Sequence, residues 1–216
     1  MLVALLLFLV AYPILRGPAG SPVLARVLLT GVFVAGGWVV FAGNRFRAVA
    51  VALGVPALLG AWTGYALPEL HGPAVAAFFH VTAATFHAFV LFVLLRGVHR
   101  EPTVSADAVA AALCGYLLIG VAFGHAYCLL NEIVPGSFGG LDRGGSEAET
   151  HFRLTYFSFI TLTTVGYGDI TPTRDTARSL AVAEAVTGQF YLAVLVADLI
   201  GKRVAQALSG NAPPPE

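Results

Sequence analysis

The chain has 216 residues, 57% of them hydrophobic and only 11% charged, and its twelve basic and twelve acidic residues leave a formal net charge of zero. An ordinary soluble domain carries roughly 25% charged residues, so the charges here are too few to cover a soluble surface of this size. The lack of any basic excess argues against a nucleic-acid partner. A membrane-spanning helix needs about 20 mostly apolar residues, and six runs approach that length. The first, Leu2 to Leu15, is short and contains Pro13. With no clear basic stretch or small-residue cleavage site before Arg16, it reads as a retained helix rather than a signal peptide. The second runs from Val23 to Ala42, the third from Ala48 to Leu67 across Pro56, and the fourth from Pro73 to Leu95. The fifth follows Pro102, with Thr103 or Ser105 as N-cap and Asp107 in its first turn, and continues to Ile133. The sixth covers Thr176 to Leu208.

Between the last two runs lies a region of another kind. It begins as a Gly, Ser and acidic loop from Pro135 to Thr150, where Asp142, Glu147 and Glu149, with Glu132 just before it, set the charge. That charge reads either as a solvated loop or as a means of concentrating cations locally. A short apolar stretch from His151 to Thr163 follows, and then Thr163-Thr164-Val165-Gly166-Tyr167-Gly168-Asp169. Two glycines alternating with larger residues permit backbone angles that a side chain resists, so successive carbonyls can turn one way. A row of carbonyls is a hard, neutral ligand set able to replace a cation's hydration shell. Non-helical backbone at membrane depth is tolerated only where protein encloses it or where it lines a watery path.

Thr164 to Asp169 reads TVGYGD and resembles the selectivity filter of tetrameric pore-loop potassium channels. The resemblance spans roughly Val104 to Arg203. It implies an all-α membrane protein of six transmembrane helices, with a re-entrant pore helix and filter between the fifth and sixth. The implied division is an N-terminal four-helix region (1–100), a pore domain (101–208) and a short tail (209–216), with no room for a cytoplasmic ligand-binding domain. The resemblance assigns Thr164, Val165, Gly166 and Tyr167 as potassium ligands, mainly through backbone carbonyls, and Gly168 as the shaper of the outer mouth. It also implies that the Tyr167 side chain packs against the pore helix, and that Asp169 sits behind the filter with Tyr156 as partner. Many prokaryotic relatives place a Glu near the end of the pore helix where this chain has Ile160, so filter support falls more heavily on Tyr156. Gly188 matches the family's hinge glycine, although close packing is an equal reading. Gln189, Leu192, Val196, Ala197 and Ile200 follow on the pore-facing side.

The same resemblance implies a passive potassium channel rather than an enzyme, a ring of four identical chains, lipid as the surrounding partner, and no cofactor beyond the permeant ion. It places the protein in the cell membrane as a multi-pass chain with both termini cytoplasmic. Charge supports that orientation weakly: Arg45, Arg47, Arg96, Arg100, Lys202 and Arg203 fall inside, but Arg16, Arg26, Arg143, Arg153, Arg174 and Arg178 fall outside. The fourth helix has no Arg or Lys before Arg96, so strong voltage gating is not expected. Alternatives are a poorly selective cation channel, or a membrane sensor or haem-binding protein built on the first four helices.

Other polar residues are read from position alone. His80 and His87 share a helix face about 10.5 Å apart along the axis, too far to bind one metal as a pair. With His125 they read as an interhelical hydrogen-bonding set, or as a pH-sensitive cluster or haem site. Glu184 and Asp198 are carboxylates within the sixth run, Glu184 placed to bond the pore-loop backbone and Asp198 to lie near Lys202. Cys114 and Cys128 are separated by about 21 Å on one helix and cannot pair. The Gly60/Gly64 and Gly120/Gly124 spacings read as close helix packing.

Overall fold

A computed structural model of the chain describes residues 1–16, 22–42, 46–67, 69, 72–101, 103–141 and 146–210. Seven helices follow in order: α1 (Leu2–Arg16), α2 (Pro22–Ala42), α3 (Arg47–Ala66), α4 (Pro73–Arg100), α5 (Ala106–Ile133), α6 (Glu147–Leu162) and α7 (Asp175–Gly210). Two short strands, β1 (Phe138–Gly139) and β2 (Thr171–Pro172), pair antiparallel, with Phe138 opposite Pro172 and Gly139 opposite Thr171. The residues from 211 to the end of the expected tail, together with Arg45, Asp142 and Arg143, lie outside the described residues.

Helices α4, α5 and α7 are each long and apolar enough to cross a membrane, while α1, α2 and α3 contain shorter apolar stretches of 10–17 residues. Ser105, not Thr103, caps α5 by accepting the Ala108 amide hydrogen at 3.1 Å. Two boundaries differ from the sequence expectation. Helix α4 runs beyond Leu95 to Arg100, with His99 and Arg100 in its last turn, where a positive charge complements the carbonyl end of the dipole. Helix α6 begins at Glu147, a full turn before His151, because Ser146 caps it by accepting from the Glu149 amide at 3.2 Å. Glu147 and Glu149 are therefore first-turn acids suited to the positive helix end rather than loop charges.

The apolar core has two centres. Leu5, Phe8, Val32, Phe33, Val40, Ala83, Phe86, Val90 and Leu118 bring α1, α2, α4 and α5 together. Tyr127, Phe138, Leu154, Phe157, Ile170 and Ala177 join α5, both strands, α6 and the start of α7. Helix α5 belongs to both. The two glycines of the second G-x-x-x-G spacing admit α6 closely: a Cβ on Gly120 would lie 2.7 Å from the Phe159 ring, and one on Gly124 would lie 2.9 Å from Thr155 Oγ1.

Helix α7 is different. Only 11% of its apolar window is buried, against 39% in α4 and 44% in α5. Val182, Val186, Phe190, Val194, Ile200, Val204 and Leu208 stand exposed along it.

Candidate functional site

The site is built at the carboxyl end of α6. The helix ends at Leu162, Thr163 is its C-cap, and the chain then doubles back. The amide of Thr164 donates to Thr161 O at 3.0 Å, and those of Val165 and Gly166 both donate to Ile160 O, at 2.9 and 3.1 Å. Three consecutive amides of the segment are thus held by the last turn of the helix. Thr164, Gly166 and Gly168 have φ of 61°, 56° and 79°, and Val165 and Tyr167 are not in the positive region. The sign of φ therefore alternates along five residues. In such a chain successive peptide groups present the same edge, which is how a row of oxygens can face one way. Thr164 is a β-branched residue in a region that costs such residues about 1–2 kcal/mol, so its neighbours hold it there. Residues 163–169 are all exposed in the single chain, and Tyr167 is 74% exposed. Its ring is not packed away against its own α6.

The outer end of this segment is clasped. Gly140, at φ 84°, lies against the Asp169 carbonyl where no side chain fits. The Thr173 amide donates to Ser137 O at 2.9 Å, and the Thr173 hydroxyl donates to Gly136 O at 2.6 Å. From α6, the Arg153 guanidinium donates to Gly140 O at 2.7 Å. Tyr156 and Asp169 form a side-chain hydrogen bond, the partnership the sequence motif suggests. Ile160, where the resemblance leads one to look for a Glu, is buried and holds the Val165 and Gly166 amides through its carbonyl.

Residues 111–204 match a family model described as "Ion channel". The carboxy-terminal part of the chain is thus similar to ion-channel domains. A curated relative, "Two pore potassium channel a" of Oryza sativa subsp. japonica, is 33% identical over 102 residues, a match covering 47% of this chain. It covers 26% of the relative, so the match spans about a quarter of that protein's length. No solved structure gave a significant match. The matched region includes most of α5 and α7, two of the three described helices that are long and apolar enough to cross a membrane.

Within the channel domain, α7 passes behind the α6 carboxyl end. Gly188 lies against Leu162: a Cβ there would fall 2.5 Å from Leu162 Cδ1 and 3.2 Å from its carbonyl oxygen. Close packing thus accounts for this glycine. Gln189, Leu192, Val196, Ala197 and Ile200 are all exposed in the single chain. Two tyrosines tie the layers together, with Tyr116 Oη donating to Leu162 O at 3.1 Å and Tyr191 Oη donating to Ala112 O at 2.5 Å.

Sequence reasoning singled out Glu184 but not its partners. The side chain is fully buried. Tyr127 of α5 donates to its Oε2 at 2.5 Å, and Ser158 of α6 hydrogen-bonds its Oε1. Ser158 Oγ also lies 2.6 Å from Gly120 O. Glu184 therefore joins three helices through side chains rather than bonding the pore-loop backbone. At the other end of α7, Asp198 accepts from Lys202 at 2.8 Å, and Lys202 also donates to Val98 O at 2.8 Å, locking α7 to the last turn of α4.

The histidines meet in a buried pocket. His80 Nδ1 lies 3.1 Å from His125 Nδ1, and His87 Nδ1 lies 2.7 Å from its own helix's Ala83 O. Sequence spacing did not include His151, yet α6 carries it to within a 4.8 Å ring-centroid distance of His125. With His80 and His125 in direct nitrogen contact, no macrocycle fits between those two rings.

Proposed function

We propose that this chain is the subunit of a potassium-selective channel whose filter is Thr164 to Gly168 and whose pore closes when four copies meet around one axis. The observation that carries the reading is the alternating φ at 164, 166 and 168, on a segment whose amides are tethered to the α6 carboxyl end. Carbonyl rings of this kind favour potassium because neutral dipoles replace its water without trapping it. The carboxyl end of α6 adds a partial negative charge that favours a cation beneath the filter. One chain supplies one side of such a ring, and the exposed apolar length of α7 and the exposed Tyr167 are the surfaces that neighbouring copies would cover. Six membrane crossings, with α6 re-entrant and both termini on the cytoplasmic side, are the topology that goes with this reading.

Liposomes holding the purified protein are expected to take up potassium and rubidium far faster than sodium, and the detergent-solubilised protein to have the mass of four chains. Equal sodium and potassium fluxes would favour a poorly selective cation pore instead. A conducting monomer would contradict the assembly.

Gating follows from a missing charge pattern. From Pro73 to Leu95, α4 has no Arg or Lys, and Arg96, His99 and Arg100 stand at its end. Steep voltage gating uses roughly three to four charges per subunit moved through the field, each worth about 2.3 kcal/mol per 100 mV. Open probability in a planar bilayer is therefore expected to vary weakly with voltage. An effective gating charge above about three per tetramer would show that another segment moves charge.

A further inference from the structure

We propose that His80, His125 and His151 form a binding site for a first-row transition-metal ion of the zinc class, joining α4, α5 and α6. Each side chain is buried, at 1%, 0% and 6% exposure, and each comes from a different helix. One ring nitrogen from each lies within 4.8 Å of the other two. Zinc–imidazole bonds of about 2.0–2.1 Å in a tetrahedral arrangement put two ligand nitrogens about 3.3 Å apart. The 3.1 Å between His80 Nδ1 and His125 Nδ1 is close to that edge. Bringing in the third nitrogen takes a shift of about 1.5 Å, within reach of a small ring rotation.

A hydrogen bond between the two neutral rings would explain the 3.1 Å contact alone, but it does not involve His151, whose ring nitrogen also lies within 4.8 Å of the other two. Burying polar nitrogen in an apolar setting is costly unless it has a partner. His125 Nε2 is buried without a hydrogen-bond partner. Next to it, parallel at 5.4 Å between centroids, lies His87. The His87 Nδ1–H donates to Ala83 O, so its Nε2 carries a lone pair, and that atom too is buried without a partner. The donor set is all imidazole nitrogen, with no carboxylate, which suits zinc, copper or nickel and disfavours calcium and magnesium.

Such an ion would tie the amino-terminal helices to α6, the helix whose last carbonyls hold the filter amides. The inference stands apart from potassium selectivity, since it concerns binding alone. The test uses full-length protein purified without a histidine tag, equilibrated with Zn2+, freed of unbound ion and assayed for metal content, with Co2+ as a spectroscopic probe. About one zinc ion per chain is expected, with cobalt giving the visible absorption of a nitrogen-ligated four-coordinate ion. His125→Asn and His151→Gln are each expected to weaken binding by at least about tenfold, whereas replacing exposed His99 (H99N) leaves it unchanged. Oligomer mass is followed in parallel, so that a variant that fails to assemble is replaced by the other. Metal content near zero in the wild-type protein, or wild-type binding in both cluster variants, would overturn the site. Zinc bound at full stoichiometry in a preparation that passes no potassium would uphold it while counting against the channel reading.

Discussion

Gly166→Val is expected to reduce potassium flux in liposomes to the background of empty vesicles while the protein keeps its oligomeric mass. At φ 56°, Gly166 occupies the left-handed region, where an L-residue costs about 1–2 kcal/mol. A Cβ at this position meets nothing within 4 Å in the single chain, so the penalty arises in the backbone rather than from a clash. Thr164 already spends such a cost two residues earlier, at φ 61°. A second branched residue in the same short segment, repeated in each chain of the proposed four-fold ring, adds about 4–8 kcal/mol per assembly. The segment relieves this by rotating its peptide groups, and the carbonyls then no longer face one way. Because the second core of α5, α6 and α7 is untouched, assembly should survive the change. Undiminished potassium flux from an assembled Gly166→Val protein would mean that these carbonyls are not the ion's ligands.

The backbone form of residues 164–168 was legible in part because it is local. Two glycines in alternation with Val165 and Tyr167 favour positive φ at 166 and 168, where it is found, whereas the positive φ of Thr164 has no glycine to announce it. The start of α6 was misread for an equally local reason. Glu147 and Glu149 look like loop charges until Ser146 is recognised as a cap, when the same acids become favourable first-turn residues. What sequence could not supply was partnership across distance. Tyr127 and Glu184 are 57 positions apart, and His80 and His125 are 45 apart. Their meeting depends on how α4, α5, α6 and α7 pack, and the Gly120 and Gly124 contacts that allow α6 to approach α5 set that packing. A buried carboxylate and a run of histidines in apolar helices flagged that something polar is satisfied there, but not by what.

Glu184→Ala is expected to destabilise the assembled protein by about 2–5 kcal/mol per chain, whereas Glu184→Gln is expected to stay close to wild type. The side chain is fully buried where α5, α6 and α7 meet, so its removal leaves both a cavity and a polar group without its partner. Ser158 retains Gly120 O at 2.6 Å as an acceptor, but Tyr127 Oη loses the oxygen it donates to. The two partners make different demands. Tyr127 needs an acceptor, while Ser158, with one hydroxyl hydrogen already directed toward Gly120 O, is best met by a donor. Glutamine offers both, its carbonyl to Tyr127 and its amide to Ser158, at nearly the same volume. The two variants therefore separate hydrogen bonding from ionisation, since glutamine supplies the donor and acceptor of a neutral carboxyl but cannot ionise. Thermal unfolding in detergent, with oligomer mass as the second readout, gives the comparison. Because Ser158 lies in the helix whose Ile160 carbonyl holds the Val165 and Gly166 amides, any loosening should also appear as reduced potassium over sodium selectivity in Glu184→Ala. An alanine variant as stable and as selective as wild type would show that this triad holds nothing in place, and a glutamine variant as damaged as alanine would show that the contact requires a charge.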